Sequence, residues 1–170
     1  MHANTHILRT KIFAAFTALA LMAGAAAGQA AGDSSFVAHY TTASLSAQEQ
    51  TAGNLLNSDR VSYNLSPLTL DPTLCRIARI KSEDMRDNQY FAHTSPTYGD
   101  VRNMLDHFGY AYTAAGENIA RHATVEKSQA ALISSPGHRR NILSRTYTKV
   151  GVGVALDARG FVYLTQIFVR

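Results

Sequence analysis

The chain has 170 residues, 16 Lys and Arg against 12 Asp and Glu, a formal net charge of +4, one cysteine and no tryptophan. Arg9 and Lys11 belong to a leader-like start, and without them 14 basic side chains face 12 acidic ones, a balance of only +2. No run of like charge exceeds Arg139-Arg140, which excludes the basic footprint of a nucleic-acid binder. Cys75 has no second cysteine to pair with, so packing alone has to hold the fold.

The first thirty residues carry two basic side chains and no acid, then the apolar run IFAAFTALALMAGAAAG over residues 12–28, then small residues. This order predicts a secretory signal over residues 1–30, cut after Ala27 or Ala30. A retained membrane anchor is the rival reading, but the run is Ala-rich and shorter than the ~20 strongly apolar residues of a comfortable span. Residues 31–43 read as a polar linker and residues 44–170 as one domain. Over residues 45–56, Leu45, Ala52, Leu55 and Leu56 suit one helical face, with Ser44 or Ser46 as cap.

Asp71 and Pro72 then start a stronger helix. Its Leu74, Ile77, Ala78 and Met85 point inward, while Arg76, Arg79, Glu83 and Arg86 face out. YFAHTSPTYG is a loop broken by Pro96 and Gly99, and a short helix from Asp100 stops at Gly109. AAGENIARH reads as extended, and residues 124–133 as a helix capped by Thr124. The end is a hairpin: KVGVGVALD alternates valines with Gly151 and Gly153, DARG turns, and FVYLTQIFVR returns. The glycine face calls for an element packed close to the backbone. Helices before and between antiparallel strands make an α+β layered domain.

Few polar residues stand out. In SSPGHRRNIL, Ser135 can cap, Pro136 takes the first helical position and His138 lies in the first turn, where the helix dipole disfavours imidazolium. A neutral ring there serves as a metal ligand or proton acceptor, or simply packs and donates one hydrogen bond. Asn141 shares its face and could orient the ring or a ligand. His93 follows Tyr90-Phe91 and opens a polar loop, as a functional group or as a surface residue beside an aromatic anchor. Glu117 is an acid among small and apolar residues, hence paired, at a cleft edge, or shifted toward its neutral form. His-Glu-x-x-His, Gly-x-Ser-x-Gly, phosphate-loop and Cys-x-x-Cys patterns are absent.

Taken together and in order, FAHTSPTYGD, AGENIA, SPGHRRNIL and VGVGVAL followed by YLTQIF resemble the bacterial SCP-like branch of the CAP superfamily, the cysteine-rich secretory, antigen 5 and pathogenesis-related proteins. The resemblance spans residues 45–170. It implies an α-β-α sandwich, with a central, mainly antiparallel sheet covered by helices on both faces. It also implies a cleft lined by His93, Glu117, His138 and Asn141, and a divalent metal, often zinc, held by His93, Glu117 and His138 in the manner of some members. Three ligands match an open zinc site in number. The chain departs from the eukaryotic pattern at Tyr163, where those members place a histidine, and Glu126 is a poor match for their second cleft acid. The expectation is an exported, monomeric binding module for a lipid-like, metal or protein ligand, with no nucleic-acid partner. The alternative is a metal-dependent hydrolase acting on peptide or cell-wall material.

Overall fold

The computed structural model describes residues 44–170; the expected signal and linker lie outside the described residues. The first helix, α1 (Ala47–Ser62), is closed at its start by a reciprocal capping box between Ser46 and Glu49. It runs well past the apolar face read from the sequence, because the residue that carries the face onward is charged. Arg60 is buried and donates to the carbonyls of Ser66 and Ser144, each at 2.9 Å.

A two-residue strand, β1 (Thr69–Leu70), precedes α2 (Pro72–Asp87), whose Asp71 cap accepts from the Leu74 amide as the sequence predicts. Two residues carry no periodicity, so β1 was invisible to pattern reading. The other elements are α3 (Val101–His107), β2 (Ala115–His122), α4 (Val125–Ser134), α5 (Pro136–Ile142), β3 (Lys149–Leu156) and β4 (Val162–Val169). Gly109, with φ 65°, takes the left-handed turn that ends α3.

The four strands form one sheet in the order β1-β3-β4-β2. β4 pairs antiparallel with both β2 and β3, and only the short β1 pairs parallel, with β3. Alternation then sorts the side chains. Ala120, Val150, Val152, Leu164 and Phe168 meet α1, α4 and α5 through Ala52, Leu56, Val125, Leu132 and Ile142. Ile167 and Val169 meet α2 and α3 through Leu74, Ile77, Ala78, Met104 and Leu105. Helices therefore cover both faces, which is the expected three-layer sandwich.

The glycine face is where α2 comes closest. A methyl group at Gly151 would stand 2.2 Å from the Leu74 carbonyl carbon, and one at Gly153 2.1 Å from that of Ala78. Only hydrogen fits between this helix and this strand.

One side chain read as outward is not so. Arg79 reaches across to the fully buried Glu49 and binds its carboxylate through two nitrogens. A charge on a helix flank here neutralises a carboxylate in the core.

Candidate functional site

The inward stripe of α2 continues past Ala78 into two charged residues, Lys81 and Asp84, both buried. The Asp84 carboxylate accepts from Asn88 Nδ2 at 2.7 Å, Ser95 Oγ at 2.7 Å, Thr97 Oγ1 at 2.9 Å and the Tyr90 hydroxyl. Burial raises its pKa, but these four donors outweigh that and hold it below the usual carboxylate value. Ser95 Oγ in turn accepts from the amides of Thr97 and Tyr98, each at 2.9 Å. Lys81 Nζ donates to Tyr90 Oη at 3.1 Å and to the Ala92 carbonyl at 3.0 Å. Two buried charges thus tie the loop after α2 to the helix and fix where His93 stands.

His93 is exposed, and its Nδ1 lies 2.8 Å from Oε1 of Glu117. The Glu117 side chain is 3% exposed, and its other oxygen, Oε2, is buried with no hydrogen-bond partner. A carboxylate next to Nδ1 places the proton on that nitrogen. The bond to Glu117 raises the His93 pKa, against burial and the Lys81 charge. Burial lowers the pKa of Lys81 despite the opposing charges of Glu117 and Asp84.

His138 stands on α5, and its pKa is lowered by burial first and then by the charge of His93. The neutral ring inferred from the sequence is supported, by a different cause from the helix dipole. Ser135 occupies the cap position but makes no side-chain capping bond. Asn141 is used differently from the sequence reading. Its Nδ2 donates to the Glu117 carbonyl at 3.1 Å and to Asn118 Oδ1 at 2.9 Å, so it fastens α5 to β2 and has no amide proton left for a ligand.

Behind the pair lies an amide relay that sequence reasoning missed. Asn118 Nδ2 donates to the His138 carbonyl and to Gln166 Oε1, both at 3.1 Å. Gln166 donates to Gln129 at 2.7 Å, and Gln129 to Asp59 at 2.7 Å. Asn118, Gln129 and Gln166 are each at most 3% exposed. Their signal in the sequence was polar residues on strand and helix faces that alternation assigns to the core, and the same signal marks Lys81 and Asp84 on α2.

The structure therefore brings His93 into contact with Glu117 and sets His138 within electrostatic reach of His93. It does not bring the three into one ligand set. Among the described residues no group of three His, Cys, Asp or Glu side chains converges to hold a metal ion, and the His93 nitrogen facing the carboxylate is already bonded to it. Glu126 is exposed on the first turn of α4 and lines a separate hollow with Ala47, Thr51 and Leu156. Tyr163, which replaces the eukaryotic histidine, is buried edge-on to Phe91 with ring centroids 6.5 Å apart.

Comparison with known proteins agrees with this architecture. The sequence profile of CAP, the cysteine-rich secretory protein family, matches residues 54–168. The Bacillus subtilis protein YkwD is 47% identical over 111 residues, 65% of this chain and 43% of that protein. The B. subtilis membrane protein YlbC is 36% identical over 118 residues, 69% of this chain and 33% of that protein. The chain thus spans less than half the length of these relatives. Among solved structures, an extracellular protein containing a SCP domain from Bacillus anthracis superposes with a TM-score of 0.67 at 32% identity, over 76% of this chain and 45% of that one. An outer surface protein from Borrelia burgdorferi, at 16% identity and a TM-score of 0.65 over 71% of this chain and 90% of that one, shares the fold. With the profile covering most of its length, the chain belongs to the cysteine-rich secretory protein (CAP) family, as a bacterial SCP-like member.

Proposed function

We propose that this chain is an exported binding module whose ligand is held by Glu117 and His93, with His138 on the rim. The observation that carries the reading is Glu117 Oε2, an oxygen of a buried carboxylate with no donor. Such an atom costs about 1–3 kcal/mol when unmet, more if charged, and a ligand that donates to it recovers that cost. His93 is 56% exposed at its side chain and is tied by one hydrogen bond, so its ring is the group that turns to admit the ligand. The ligand is a small lipid-like molecule or a protein segment presenting an N–H or O–H group. Export rests on the leader-like start and on the extracellular B. anthracis relative.

A second reading, favoured by the same oxygen, gives the cleft a zinc ion and makes the protein a hydrolase of peptide or cell-wall material. Glu117 would be its general base and the two histidines its ligands. It requires His138 to turn toward His93 and Glu117, since among the described residues these three side chains do not converge as they stand.

Mass spectrometry of lipids and metals that copurify with the protein from its native host tests both readings, alongside calorimetric zinc titrations. A lipid-like or peptide ligand lost from Glu117→Gln and retained by a surface variant is the expected result. Zinc at one equivalent, lost from His93→Ala and from His138→Ala, would transfer the assignment to the second reading. A ligand held equally by wild type, Glu117→Gln and His93→Ala would overturn both.

A further inference from the structure

Glu117, Ile119 and Arg121 alternate along one face of β2, so Arg121 stands two pleats beyond the cleft, about 13 Å along the strand from Glu117. There the β3–β4 turn and the end of α2 enclose a groove of about 560 Å³. Three guanidinium groups, those of Arg86, Arg121 and Arg159, line it against the carboxylates of Asp87 and Asp157. One net positive charge is left.

The pairing within the groove is uneven. Arg86 is bound to its neighbour Asp87 at 2.6 and 3.0 Å. Arg121 gives one nitrogen to Asp157 at 2.9 Å and lies over the ring of Tyr163, 4.9 Å from its centroid. Arg159 lies over Phe161 at 5.5 Å and forms no ion pair among the described residues. Asp157 Oδ1 accepts from the amides of Arg159 and Phe161, each at 2.9 Å, so the turn that carries Arg159 is fixed. Guanidinium forks held by aromatic faces and a rigid turn are preorganised for a planar or tetrahedral oxyanion.

Gln89 adds a second, independent observation. It lies in the groove wall with φ 55°, a left-handed conformation in which a helix end usually has glycine. A long amide side chain occupies a position where the backbone is strained, and strain of this kind clusters at binding sites.

We propose that this groove binds a phosphoryl group, with Arg121 and Arg159 on its oxygens and the Gln89 amide as a further donor. The site goes beyond the cleft reading and does not depend on it. Its phosphoryl group belongs either to a free phosphorylated molecule or to a phospholipid headgroup, and the experiment separates these sources.

The test uses the whole chain and follows arginine and glutamine side-chain resonances by NMR. Inorganic phosphate is titrated in one arm. In the other, phosphatidylglycerol vesicles are compared with phosphatidylcholine vesicles by co-sedimentation. Saturable shifts at Arg121, Arg159 and Gln89, with affinity about tenfold weaker in Arg159→Gln and falling with salt, support a free phosphorylated ligand. Co-sedimentation with phosphatidylglycerol alone, lost in Arg159→Gln, supports a headgroup. Arg159 has no ion-pair partner among the described residues to abandon, so this variant stays folded even if Arg121→Gln loosens the turn. Absence of binding in both arms, or binding unchanged in Arg159→Gln, would overturn the proposal.

Discussion

Gly153→Ala adds one methyl group at the closest approach of helix and sheet. The new carbon would lie 2.1 Å from the carbonyl carbon of Ala78 and from the amide nitrogen of Arg79. Comfortable carbon contacts are about 3.5–4.0 Å, so α2 has to move off β3 by more than an ångström. No side chain can rotate to relieve this, because the obstructing atoms are backbone. Leu74, Ile77 and Met85 are fully buried on that helix, and each contributes about 2 kcal/mol by burial. A gap of that size forfeits up to half of their packing, which gives a loss of about 3 kcal/mol and a melting temperature lower by roughly 10 °C. The control is Gly160→Ala in the β3–β4 turn, where a methyl group meets nothing within 4 Å but φ is +80°. Its cost is backbone strain alone, about 1–2 kcal/mol. Urea denaturation followed by circular dichroism compares the two. A midpoint for Gly153→Ala equal to wild type, or higher than that of Gly160→Ala, would refute the reasoning that α2 lies on the glycine backbone.

Asp84→Ala leaves Tyr90, Ser95, Thr97 and Asn88 without their acceptor and should cost about 3 kcal/mol in chemical denaturation, with the His93 loop becoming the most protease-sensitive segment. Because the folded pKa of Asp84 lies below its unfolded value of about 3.9, its contribution is complete above that pH and is lost as the pH falls through the folded value. The stability gap between wild type and Asp84→Asn should therefore narrow below about pH 4, and a gap independent of pH would contradict the assignment. Asn118→Ala removes three hydrogen bonds at once and should destabilise by about 2–4 kcal/mol while shifting the NMR signals of α5; unchanged α5 signals would show that the relay does not hold that helix. Gln89→Gly relieves a left-handed backbone and should raise the unfolding free energy by up to about 1 kcal/mol, read as a higher urea midpoint, and a lower midpoint would contradict the assignment of strain at this position.

The parts of the fold that were legible in the sequence are those with a repeat to read. Leu74, Ile77, Ala78 and Met85 recur at helical spacing and are all fully buried, and the valines of β3 alternate with glycines that do meet a helix. Caps announced themselves by residue type at Asp71 and Thr124, each of which accepts the predicted amide bond. What escaped lies where polar side chains occupy apolar positions. Arg60 extends α1 past its last leucine by bonding to distant carbonyls, and Arg79 turns inward to Glu49, thirty residues away. Periodicity assigns a side to a residue, and it cannot say which partner on that side satisfies a charge. For the site, Glu117 stood out because its neighbours are apolar, whereas the bond to His93 depends on a loop whose path is set by Lys81 and Asp84.

The motif residues divide by whether their hydrogen-bonding capacity is met inside the protein. In the GEN block, Asn118 donates twice and accepts once within the relay; in the TQ block, Gln166 accepts from Asn118 and donates to Gln129. In the SPGHRRN block, Asn141 closes α5 onto β2, and in the HTSP block Ser95 bridges Asp84 to two loop amides. These residues hold the elements of the fold to one another, and the polar groups named are engaged in doing so. Glu117 differs from them in one atom. Its Oε1 is bonded to an exposed imidazole and its Oε2 is bonded to nothing, although both lie beneath the surface. A fold-holding carboxylate such as Asp84 or Glu49 has donors on both oxygens. The unmet oxygen is thus the feature that sets Glu117 apart from the carboxylates that hold the fold, and under the proposed binding reading it directs the search for a ligand to groups that donate at that point.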